Sequence, residues 1–185
     1  KYTDFNEVLK RLSESKVPHP KMFFLPAIKE GSRAHIVMEP FFGKRIATSS
    51  DSFERKSKLP EGCAISNLDL REEYDRKVFE QALEHTAILA KHGLVLKQSM
   101  GQRMRTDVFT HLKLKSGEPK VLVEDIDTLV PESKDNFEDV KSNWKNSSRV
   151  LFNTAIDFIN EYGSTNKEIA RKMIEEAAKR HDFNN

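Results

Sequence analysis

The sequence predicts an α+β fold with a small N-terminal lobe and a larger, mainly helical C-terminal lobe. Three observations point there. Apolar residues recur at helical spacing in well-separated stretches, two β-prone pairs flank turn-forming tetrapeptides, and the helical stretches gather toward the C-terminal end. The predicted division is a helix plus hairpin over 1–42, a hinge or linker over 43–69, and a helical lobe with an inserted hairpin over 70–185. The linker is set by a shift to Ser, Lys, Glu and Asp, broken by Pro60 and Gly62.

Taken in order, Phe5, Val8, Leu9 and Leu12 mark an amphipathic helix, with Asp4 and Glu7 at capping spacing. Val17-Pro18-His19-Pro20 must leave the helix, because two closely spaced prolines hold the backbone extended. Met22–Ile28 and Ala34–Glu39 read as strands around Lys29-Glu30-Gly31-Ser32, with Pro26 confining part of the first to an edge or bulge. Leu70–His92 is the strongest helix. Tyr74, Val78, Phe79, Ala82, Leu83, Thr86, Leu89 and Ala90 trace one face, and Gly93 stands at the C-cap. Leu94–Leu96 is a short apolar piece before a polar, basic loop. A second hairpin joins Val108–Leu114 to Lys120–Val123 through Ser116-Gly117-Glu118-Pro119. Of two closing helices, one carries Val150, Leu151, Ala155, Phe158, Ile159 and Tyr162 up to Gly163. The other opens on a Thr165/Glu168 capping box.

Composition narrows the function. The 185 residues are 37% hydrophobic and 32% charged, with twelve Phe to build a core and no apolar run near the ~20 residues of a membrane span. A net charge of +2 gives no reason to expect a generic polyanion binder. The lone Cys63 excludes a disulfide framework and a thiolate-rich metal site, so a reducing, cytoplasmic setting is expected. The six histidines lie at 19, 35, 85, 92, 111 and 181, without the i, i+4 pairing of a helical zinc site. More informative is Glu124-Asp125-Ile126-Asp127, directly after the apolar run Val121-Leu122-Val123. Carboxylates two apart at a strand end can both reach one hard cation, as in magnesium sites beside phosphates. On the motif alone, a solvated strand end is the commoner arrangement.

Four pieces in order resemble the protein-kinase-like fold, in its RIO and aminoglycoside-phosphotransferase branch. They are Asn6-Glu7-Val8-Leu9 with Val17-Pro18-His19-Pro20-Lys21, then Ile36-Val37-Met38-Glu39-Pro40-Phe41, then Ala90-Lys91-His92-Gly93-Leu94-Val95, then Val121–Asp127. The resemblance spans most of Phe5–Val130. It implies ATP and magnesium as cofactors, with Met38 behind an adenine pocket and the backbone of Glu39 and Phe41 on the adenine edge. It implies Glu7 as the helix glutamate that pairs with a strand lysine. Asp125 becomes the magnesium ligand, with Asp107 or Asp127 sharing the ion.

The sequence departs from that family where catalysis is performed. The seven glycines, at 31, 43, 62, 93, 101, 117 and 163, form no glycine-rich loop, and Lys1 alone among lysines precedes Glu7. Those strands are either outside this chain or dispensed with. Gln98 stands where the family has its proton-accepting aspartate, and an amide is no base at neutral pH. Asp107, nine positions on, or the second acid Asp127 is the candidate substitute. The implied function is therefore a degenerate kinase-like domain, a pseudokinase, that acts by binding nucleotide or a protein partner. The alternatives are an atypical active kinase and a nucleic-acid module using the basic stretch 97–115, which the balanced charge and missing aromatic set disfavour.

Overall fold

The structure, a computed structural model, describes residues 5–25, 35–38, 44–45, 68–97, 108–124, 126, 129–131, 139–157 and 161–183, with backbone alone at 23–25, 35–38 and 44–45. The described elements are α1 (Phe5–Ser15), β1 (Met22–Leu25), β2 (His35–Met38), β3 (Lys44–Arg45), α2 (Glu73–Lys91), β4 (Leu94–Leu96), β5 (Phe109–Lys113), β6 (Pro119–Val123), β7 (Leu129–Pro131), α3 (Val140–Ile156) and α4 (Gly163–Arg180). The fold is α+β, with four helices among the described residues. Its strands form three small antiparallel sheets, ordered β1-β2, β3-β5-β6 and β4-β7. Among the described residues no helix is long and apolar enough to cross a membrane.

Helix α1 buries Val8 and Leu12 completely and stops where Lys16 turns left-handed at φ 58°. Ser15 secures the stop, its hydroxyl donating to Leu12 O and accepting from Val17 N. Pro18 and Pro20 then hold the chain extended, and Pro18 O accepts the Val123 amide at 2.9 Å. The first hairpin pairs Met22 with Met38 and Leu25 with His35, as the turn chemistry predicts.

Helix α2 organises the remainder. It buries Val78, Phe79, Ala82, Leu83, Thr86, Ala87, Leu89 and Ala90, close to the stripe read from the sequence. Gly93, at φ 67°, takes the left-handed position that ends it. Midway along, the Gln81 side chain reaches β6, donating to Pro119 O at 2.9 Å and accepting from Val121 N at 3.1 Å.

Three features depart from the sequence reading. The connector between 43 and 70 contributes β3, which pairs Lys44 with His111 and Arg45 with Thr110, and its end carries the buried Leu68 and Leu70. Strand β7 was not anticipated at all; it pairs Leu94 with Pro131 and Leu96 with Leu129. The penultimate helix ends at Ile156 rather than at Gly163, with Asp157 extended at ψ 146°. Gly163 opens α4 instead. A Cβ there would stand 2.6 Å from Asp157 O and 2.7 Å from Ile156 O, so the missing side chain lets α4 rest on the end of α3. The Thr165/Glu168 capping box is accordingly not made. Tyr162 is the N-cap, Thr165 donates to Tyr162 O, and Glu168 bridges Arg171.

Asn166 closes this junction. It is fully buried, and its amide donates to Leu68 O at 2.8 Å and Ala155 O at 3.0 Å while its oxygen accepts Leu70 N at 2.9 Å. One side chain thus ties α4 to the end of α3 and to the segment leading into α2. At the opposite end of α4, Phe183 stacks on Trp144 with ring centroids 5.1 Å apart.

Candidate functional site

The strand pairings bring two connections together. The chain leaves β4 at Leu96, passes through 97–108 and returns as β5; it leaves β6 at Val123, passes through 124–128 and returns as β7. Because β4 pairs with β7 and β5 with β6, both ends of one connection are held against both ends of the other. The limiting pairs are Leu96↔Leu129 and Phe109↔Val123. One further backbone bond extends the second ladder, from Glu124 N to Val108 O at 2.7 Å.

Each end is fixed by buried groups. Leu96 N donates to the hydroxyl of Ser147, itself 1% exposed on α3, which sets where the longer connection departs. Val108 is fully buried where it returns. Ile126 is buried within the shorter connection, and its carbonyl accepts Leu129 N at 3.2 Å. The start of β4 is held from the other side. Arg11 is largely buried and donates to Gly93 O at 2.9 Å and to Glu7 Oε1 at 2.7 Å.

The candidate residues distribute as follows. Glu7 lies on α1 in an i, i+4 ion pair with Arg11, and through Arg11 it is linked to the α2–β4 junction. Met38 ends β2, described by its backbone. Glu39, Phe41, Gln98, Asp107, Asp125 and Asp127 lie outside the described residues. Of the basic stretch, Lys97, Lys113 and Lys115 are exposed, and Lys113 Nζ sits 5.4 Å from the centre of the Tyr74 ring. Residues 98–107 of that stretch are likewise outside. Among the described residues no cluster of three or more His, Cys, Asp or Glu is placed to hold a metal.

A perturbed histidine lies beside the site. His85, on α2, has its ring centre 6.3 Å from that of Phe109, at the closing pair of the ladder. Its Nδ1 is buried and finds no hydrogen-bond partner among the described residues. Desolvation pulls its pKa down to about 4, with Glu84 opposing, so the ring is neutral at physiological pH.

Sequence reasoning missed the residues that do the positioning: Arg11, Gln81, Ser147 and Asn166. Ser147 left one trace, since it falls among Trp144 and Leu151 on the apolar face of its helix. No protein-family model, curated protein or solved structure matches this chain.

Proposed function

We propose that the chain is a degenerate kinase-like domain that works by binding, taking up a magnesium-bound nucleotide weakly rather than transferring phosphate. One observation carries this reading. The segments that resemble the family's catalytic loop and metal-binding strand are distant in sequence, and their described flanks meet at the Val108–Glu124 bond. Asp107 precedes Val108 directly, and Asp125 follows Glu124 directly.

On this reading Asp107 and Asp125 hold one magnesium ion, with Asp127 as the further oxygen donor. Carboxylates are the hard ligands that ion prefers, and the ion when bound neutralises charge on phosphate oxygens. Asp107 and Asp127 are then used as ligands, which leaves no substitute for the absent base at Gln98. Losing a positioned base costs ~10²–10⁴ in rate, so phosphotransfer at background level is the expected result.

Thermal unfolding with ATP and magnesium tests the proposal. At ten times the dissociation constant a ligand adds ~1.4 kcal/mol, about 3–6 °C in Tm for a chain of this size. That shift should require magnesium and vanish in Asp125→Ala and in Asp107→Ala. Equal shifts in wild type and Asp125→Ala would remove the residue from the site.

A further inference from the structure

The seam between α3 and α4 opens into a groove of mixed chemistry. Two hollows there share Lys145 and Ser148 and so run into one another along the antiparallel helix pair. The α3 wall carries Lys141, Lys145 and Arg149, exposed at i, i+4 and i+8 on one line. The α4 wall is mixed, with Arg171 bridged to Glu168 and Glu175 close by. Below the charges the floor is apolar. Phe152 and Ile174 are half-buried along the middle, and Ala178 and Phe183 continue the floor to the far end.

From this asymmetry we propose that the groove docks an acidic amphipathic helix of a protein partner. Its apolar stripe would lie on the seam and its carboxylates against α3. The wall from Lys141 to Phe152 covers about 16 Å, three turns of helix, which is enough for apolar anchors at i, i+3/i+4 and i+7. Charge complementarity selects the partner's sign: Lys145 and Arg149 line one wall with Lys141 beyond them, while on the other wall Arg171 is already bridged to Glu168. A nucleic acid is less suited. The α4 wall offers little to a second phosphate run, and the ring of Phe183 already stacks with Trp144 and His181 and carries Lys91 Nζ at 5.6 Å. The proposal stands apart from nucleotide binding, since α3 and α4 contribute none of the candidate metal ligands.

Fluorescence anisotropy with the full chain tests it. The probe is a labelled 14-residue helical peptide with Leu on one face and Glu on the flanks. The comparison probes are the same peptide with Lys for Glu, a single-stranded 20-mer DNA and phosphatidylserine vesicles. The Glu peptide should bind, and the Lys peptide should not. The pair Lys145→Glu/Arg149→Glu should weaken binding at least about tenfold, and Arg171→Glu no more than about threefold. Affinity should also fall with added salt, and Lys145→Gln/Arg149→Gln gives the same direction should the reversed pair fold poorly. Equal binding of both peptides would overturn the proposal, as would binding unchanged by the α3 substitutions. Preference for DNA or vesicles over the Glu peptide would overturn it too.

Discussion

Single side chains decide much of this fold, and two of them invert the usual expectation for their residue type. Replacing an early helical glycine by alanine ordinarily stabilises by about 1 kcal/mol. At Gly163 the new methyl would press on the backbone carbonyls of Ile156 and Asp157, which cannot swing aside as a side-chain tip can. Gly163→Ala should therefore destabilise, by about 1–3 kcal/mol in urea unfolding. Asn166 reads as a surface residue in the sequence, yet it satisfies Leu68 O, Leu70 N and Ala155 O inside the core. Asn166→Ala removes these three buried hydrogen bonds, and a loss of about 2–3 kcal/mol is expected in urea unfolding. His85 supplies the pH dependence. Its folded pKa of about 4 lies below the ordinary 6.5, so the neutral ring is stabilising above 6.5 and the unfolded chain gains the proton first on acidification. Stability should fall between pH 6.5 and 4 by about 3 kcal/mol, and His85→Leu should flatten that slope.

Among the elements, those with long or alternating apolar patterns were legible: α1, α2, both hairpins and the existence of the closing helices. Strand β7 was not, because three residues ending in proline carry no period, and its partner β4 lies over thirty residues upstream. Strand β3 has two charged residues and exists through its pairing with β5. The candidate site shows the same split. Its carboxylates could be picked from the sequence, whereas the pairing that brings their flanks together is non-local. The tie between α4 and α2 offers a test at this scale. Burial alone would raise the Glu84 pKa, but hydrogen bonds from His181 and Arg180 outweigh it and hold the carboxyl below its ordinary 4.5. Such a depressed acid stabilises above 4.5 and loses its contribution as pH falls through the folded value. Glu84→Gln should lower Tm at pH 7, and the difference from wild type should shrink as pH falls below 4.5.

At the scale of the whole molecule, one contiguous core joins α1, α2, β4–β7, α3 and α4. Trp144 fluorescence and backbone circular dichroism should consequently report the same unfolding midpoint in urea. Separate midpoints would show that α3 and α4 melt independently of the sheets. One contact reaches beyond stability. The side-chain amide of Gln81 is in chemical terms a peptide group with no chain attached, and it occupies the flank of β6 where another strand would hydrogen-bond. With Pro18 O taking the next amide, the sheet terminates in the protein's own groups. A strand from a second molecule finds no template along that stretch, so this edge of the sheet is guarded against edge-to-edge aggregation by one glutamine of α2 and the carbonyl of Pro18.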